Sequence, residues 1–157
     1  MEREPDIDAI DEGQPAALPA VDTRELLVVF AGGALGALAR GGLEHALAPS
    51  PGAWPWPTFA VNLAAAALLG YAVAWLGEHH PSTMYLRAFV VTGICGALST
   101  FSTFALELIH IYETTGLALA CGYGAASIAG GAVALLIGMA LAPKVPADVL
   151  ARRGKRR

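Results

Sequence analysis

Gly93-Ile94-Cys95-Gly96-Ala97-Leu98-Ser99-Thr100-Phe101-Ser102-Thr103-Phe104 lies inside the third of four long apolar segments, and its reading decides the fold. Two glycines, four hydroxyl residues within positions 99–103 and two phenylalanines three apart are unusual content for the middle of a bilayer. Singly, each has a plain structural account: Gly93 and Gly96 as packing notches, hydroxyls bonded back to carbonyls one turn earlier, Phe101 and Phe104 as core. Together they weaken a helix and supply substitute hydrogen bonds. Lipid offers no partner to a freed N–H or C=O, so a helix broken here must be buried in protein or line a water or ion path. Freed carbonyls suit hard monovalent cations, freed N–H groups suit anions, and aromatic ring edges are weakly positive toward a small anion.

Composition supports a membrane setting. Of 157 residues, 55% are hydrophobic and only 15% charged, and mean hydropathy is +0.55, which points away from a soluble enzyme and toward a small polytopic membrane protein. The net charge of -3 hides a segregation: acidic residues crowd the first 25 positions and basic ones the last 15. Residues 1–22, with Glu2, Glu4, Asp6, Asp8, Asp11, Glu12 and Asp22, are expected to form a disordered tail and do not resemble a signal peptide. Residues 143–157 form a basic tail. Cys95 and Cys121 both fall in apolar segments and are expected as packed, reduced thiols. No metal-ligand cluster, ATP motif or nucleic-acid signature stands out.

Working outward, the four spans are predicted at about 26–46, 58–76, 84–112 and 117–141, each at or above the ~20 residues a helix needs to cross the hydrocarbon. Gly32 and Gly36 share a face of the first, where another backbone can approach. Arg40, late in that span, is either an interfacial anchor or a vestibule charge that attracts anions. Pro49, Pro51, Pro55 and Pro57 end the first helix, with Trp54 and Trp56 between them marking the membrane boundary. Asn62 is the polar exception in the second span, serving as helix–helix glue or facing a polar path. A turn is expected over residues 78–82. The third span is long enough to tilt or break, and carries Glu107 and His110 near its end. In the fourth, Tyr123, Ser127 and Gly131 recur every four residues as one polar-to-small stripe.

These residues resemble the CrcB/Fluc fluoride channel family. The resemblance rests on residues 32–40 (GGALGALAR), Thr58-Phe59-Ala60-Val61-Asn62, Gly96 through Phe104, and Tyr123 with Ser127, and it covers about residues 26–141. It implies an all-α integral membrane protein whose four-helix subunits, each with a broken third helix, pair as an antiparallel dimer of dual-topology type. It further implies two fluoride pathways and a structural sodium ion at the dimer centre, held by the backbone carbonyls of Gly96 and Ser99. Phe101 and Phe104 would form an aromatic box, Asn62 would donate at the pathway, and Ser102, Thr103, Tyr123 and Ser127 would supply a polar track; Glu107 and Arg40 are further candidates. Where the family usually has glycine and serine after the asparagine, this chain has Ala65 and Ala66; it has Gly41 after the arginine motif and Gly131 one turn past Ser127.

The resulting expectation is a non-enzymatic channel for passive fluoride export in the cell membrane. Its rivals are a proton-coupled small-molecule exporter, which would need an ionisable residue at mid-bilayer, and a non-conducting assembly subunit. With four crossings, both termini and the loop between spans two and three share one side. That side carries Arg3, Arg24, Arg87, Lys144, Arg152, Arg153, Lys155, Arg156 and Arg157, nine of the ten basic residues; the other has Arg40 alone. Basic residues accumulate on the cytoplasmic side, so both termini are expected inside. A protein inserting both ways to build its own antiparallel dimer would show little bias, so the partner is expected to be an oppositely oriented homologue, with a homodimer as the alternative.

Overall fold

The computed structural model describes residues 22–47, 54–79 and 83–144. The acidic tail up to residue 21, Pro49 and Pro51, residues 80–82 and the basic tail beyond Lys144 lie outside the described residues. Asp22 starts α1 (Thr23–Ala46) by accepting the Arg24 amide at 2.9 Å, which satisfies one of the free N–H groups of a helix start. The same carboxylate accepts the Tyr85 hydroxyl at 2.7 Å, fastening the first span to the start of the third. The phenol, then the Arg24 amide, hold Asp22 below the usual carboxylate range.

Helix α2 (Trp56–His79) places Pro57 in its first turn, where a missing N–H costs nothing. It begins two residues before the expected start and runs on through Glu78 and His79, which were expected in a turn. Polar side chains at a helix end reach headgroup water, so the helix need not stop where hydrophobicity does. The third apolar segment is a succession: α3 (Met84–Arg87), a π-helical stretch (Ala88–Cys95), α4 (Gly96–Leu98), two extended residues, and α5 (Phe101–Thr114). Gly116, at φ 114°, then makes the turn into α6 (Leu117–Leu141), a backbone angle that side-chain-bearing residues rarely adopt. Among the described residues, all regular structure is helical, and four segments are long and apolar enough to cross a membrane: Thr23–Ala46, Trp56–Glu78, Met84–Thr114 and Leu117–Leu141.

Two seams bring backbones into contact. Gly32 and Gly36 on α1 lie against the carbonyls of Phe89 and Ile94 in the π-helical stretch, with Gly93 facing Gly32. Gly70 on α2 and Gly138 on α6 face the carbonyls of Leu135 and Ala67. An added methyl at any of these glycines would collide with main chain. Lipid tails are as apolar as leucine, so close van der Waals contact, not hydrophobic exclusion, holds such seams. Gly96 differs: nothing lies within 4 Å of where its Cβ would be, and it is exposed, so it is no packing notch within this chain. Of the two thiols, Cys95 is buried as expected, while Cys121 is exposed on α6.

Candidate functional site

The site grows from the interruption after Leu98. Ser99 (φ -75°, ψ 152°) and Thr100 (φ -138°, ψ 118°) are extended, which removes the i to i-4 partners of the surrounding peptide groups. Asn62, on α2, supplies replacements from 38 residues away: its Oδ1 accepts the Thr100 amide at 2.8 Å and its Nδ2 donates to the Thr100 carbonyl at 3.1 Å. Thr100 in turn caps α5, its Oγ1 accepting the Thr103 amide at 3.2 Å and donating to Thr103 Oγ1 at 3.0 Å. The Ser99 hydroxyl bonds back to the Cys95 carbonyl at 3.2 Å.

The carbonyls of Gly96 and Ser99 are among those that lose their usual donors by this rearrangement. In an unbroken helix the Gly96 carbonyl would receive the Thr100 amide, which goes to Asn62, and the Ser99 carbonyl would receive the Thr103 amide, which goes to Thr100 Oγ1. Gly96 and Ser99 are both exposed, as are Phe101 and Ser102.

Beside the interruption, Asn62, Thr100, Phe101, Phe104, Ser127 and Ile128 line a recess of about 270 Å³ that opens at the subunit surface. The Ser127 hydroxyl is buried there and makes no hydrogen bond of ordinary length, its nearest polar neighbour being the Tyr123 hydroxyl one turn away. An asparagine amide has two N–H donors, and one of those of Asn62 is left over after Thr100 is served. The recess lining contains no carboxylate.

A second polar cluster adjoins it. Thr58 Oγ1 donates to Glu107 Oε1 at 2.6 Å and the Tyr123 hydroxyl to Glu107 Oε2 at 2.7 Å, so each carboxylate oxygen holds a donor. Thr58 is 1% and Tyr123 0% exposed. Glu107 stands seven residues before the end of α5, roughly 10 Å along the axis, in the outer part of the span and not at its middle. Ring contacts join the two clusters: Phe101 to Phe104 at 5.9 Å, Phe104 to Tyr123 at 5.4 Å, and Tyr123 to Trp54 at 5.1 Å.

Of the residues singled out from the sequence, Asn62, Phe101, Phe104 and Ser127 meet at the recess, Thr103 and Ser102 sit about Thr100, and Tyr123 and Glu107 form the neighbouring cluster. Arg40 lines neither. Ala65 packs in a core cluster with Val61 and Leu98, and Gly41, Ala66 and Gly131 do not line the recess. Three residues escaped the sequence reading. Thr58, four before Asn62 and so on the same helix face, had a signal in its spacing; Thr100 had one as a hydroxyl residue just ahead of a helix. Trp54 has none, since in the sequence it marks the membrane boundary as well as Trp56 does.

Comparison with known proteins places the chain in a family. The family model described as CrcB-like protein, Camphor Resistance (CrcB) matches residues 27–139. A protein of Mycolicibacterium paratuberculosis named Fluoride-specific ion channel FluC 1 is 46% identical over 132 residues, 84% of this chain and 97% of the relative. One of the same name from Mycobacterium bovis is 45% identical over 128 residues, covering 82% and 97%. Fluoride-specific ion channel FluC of Bordetella petrii is 41% identical over 116 residues, covering 74% and 89%. The chain belongs to the CrcB family.

Proposed function

We propose that this CrcB-family chain forms a fluoride-selective channel in the cell membrane through which fluoride leaves the cytoplasm passively. The name carried by its relatives supports the ion, and one observation on this chain carries the reading: the Ser127 hydroxyl and an Asn62 side chain with a spare N–H meet the Phe101 and Phe104 rings at a recess free of carboxylates. Fluoride is small and accepts hydrogen bonds strongly, so hydroxyl, amide and ring-edge donors can replace its hydration better than that of larger chloride. Tyr123 and Thr58, both buried, hold Glu107 beside the recess. A proton-coupled exporter would want a free ionisable group at mid-bilayer, whereas Glu107 lies off-centre with both oxygens engaged.

The pathway is completed by a second subunit in antiparallel orientation. Gly96, Ser99, Phe101 and Ser102 are exposed on one copy at a depth where lipid cannot serve polar backbone, which supports burial against a partner. A sodium ion at that contact would be held by the Gly96 and Ser99 carbonyls of both copies, whose helical donors are engaged elsewhere; it would supply fixed positive charge. The strong bias of Lys and Arg favours both termini in the cytoplasm and an oppositely oriented homologue as partner. The deciding experiment is efflux from liposomes followed with a fluoride electrode. Fluoride release much faster than chloride release is expected, and absence of efflux from this chain both alone and combined with an oppositely oriented homologue refutes the channel.

A further inference from the structure

Thr100 carries the most enclosed hydroxyl at the interruption. It is 5% exposed, while Ser99 before it and Ser102 after it are both exposed. Its Oγ1 accepts the Thr103 amide at 3.2 Å, donates to Thr103 Oγ1 at 3.0 Å and lies 3.4 Å from Ser102 Oγ. The residue is extended, at φ -138° and ψ 118°, a conformation that β-branched side chains favour. Shape and hydroxyl therefore both have a use at this position, and the two uses are separable.

The Thr103 amide is one donor with two competing acceptors. In a continuous helix it would go to the Ser99 carbonyl four residues back; in the observed backbone it goes to Thr100 Oγ1. A donor inside a membrane span has little water to fall back on, so without the Thr100 hydroxyl this amide stays unpaired for as long as the interruption stays open. Winding Ser99 and Thr100 into the helix would give the Thr103 amide the Ser99 carbonyl and the Thr100 amide the Gly96 carbonyl. Closure would thus remove both of the carbonyls proposed to hold sodium. Asn62 opposes it from α2, by holding the backbone of Thr100. The Thr100 hydroxyl opposes it from within the third span.

We infer that the Thr100 hydroxyl is a positioning group for the cation site: by taking the Thr103 amide it keeps the Ser99 carbonyl, and with it the Gly96 carbonyl, out of the helical ladder and available to a cation. This rests on the proposed sodium contact and names the side chain that keeps its ligands free. The test crosses two substitutions. Thr100→Val keeps the β-branched shape and loses the hydroxyl, whereas Thr100→Ser keeps the hydroxyl and loses the methyl. The full-length protein is melted in detergent over a sodium chloride series, with N-methylglucamine chloride holding the ionic strength constant. Thr100→Ser is expected to reach half-maximal stabilisation at the wild-type sodium concentration, and Thr100→Val to need about fivefold more, the factor that a lost helix cap corresponds to. Any result in which the serine protein does no better than the valine protein overturns the assignment, because the side chain then fills space and nothing more. Thr100→Ala takes the place of a valine protein that does not fold. If neither folds, serine against wild type decides: an unchanged sodium midpoint supports the hydroxyl, and a raised one overturns it. A wild type whose melting ignores sodium defeats the sodium contact itself and the assignment with it, whereas a sodium-responsive wild type matched by both variants defeats the assignment alone.

Discussion

Asn62 and Thr100 are joined by two hydrogen bonds, side-chain oxygen to amide at 2.8 Å and side-chain nitrogen to carbonyl at 3.1 Å, so one amide side chain serves both backbone groups of one residue. The side chain that ties α2 to the interruption also lines the recess, so Asn62 joins two helices and faces the recess at once. Asn62→Ala leaves the Thr100 N–H unpaired, while the Thr100 carbonyl, at the N-cap of α5, keeps the first intrahelical bond. Membrane side-chain hydrogen bonds average about 0.6 kcal/mol, but orphaned backbone groups cost more, so a loss of about 1–3 kcal/mol is expected. A lower melting temperature in detergent together with reduced fluoride efflux checks it; an unchanged melting temperature refutes the structural half.

The two phenylalanines should separate transport from stability. Phe101 is 79% exposed on the subunit, whereas Phe104 is part-buried against Tyr123. Phe101→Ile is expected to cut fluoride flux and leave the subunit's melting temperature nearly unchanged. Phe104→Ile should cut flux and also cost about 1 kcal/mol of stability, through its lost aromatic contacts. Equal flux from wild type and Phe101→Ile would remove the ring edge from the mechanism.

Gly96 and Ser99 are proposed to act through their carbonyls. Ser99→Ala removes only the hydroxyl bond to Cys95 and should retain sodium-dependent thermal stabilisation. Gly96→Val has open space within its own subunit, so the chain should insert and fold, yet lose dimer and sodium response together because its side chain enters the subunit contact. Size-exclusion chromatography with and without sodium reads both. A Gly96→Val dimer that still responds to sodium counts against the central site.

At the α2–α6 seam a side chain has nowhere to go. Gly138→Val places two methyl groups against the Ala67 carbonyl and should destabilise by roughly 3 kcal/mol or more, seen as aggregation or loss of a monodisperse peak. Gly131→Ala, with nothing within 4 Å, is expected to be neutral or slightly stabilising by helix propensity.

Orientation is read by reporter fusions at the C-terminus. A cytoplasmic signal alone is expected from the distribution of Lys and Arg. Equal cytoplasmic and external signals would refute fixed orientation and favour a homodimer built from both topologies.

The sequence by itself determined the four apolar spans, the Gly32 and Gly36 face that accepts another backbone, and the odd hydroxyl-rich stretch in the third span, because hydrophobic length, residue spacing and propensity are local properties. The tertiary structure decided which groups meet. Asn62 reaches Thr100 across 38 positions, Thr58 reaches Glu107 across 49, and Tyr123 reaches Glu107 from a different helix. Nothing in the local pattern distinguishes Trp54, which turns in, from Trp56, which faces out; nor does it reveal that Gly93 is packed tight while Gly96 stands open. The physical reason is the same in each case: a side chain's partner depends on how two helix faces are rotated and shifted against each other, and that is set by the seams at Gly32, Gly36, Gly70, Gly93 and Gly138, where backbones from distant parts of the chain come into contact.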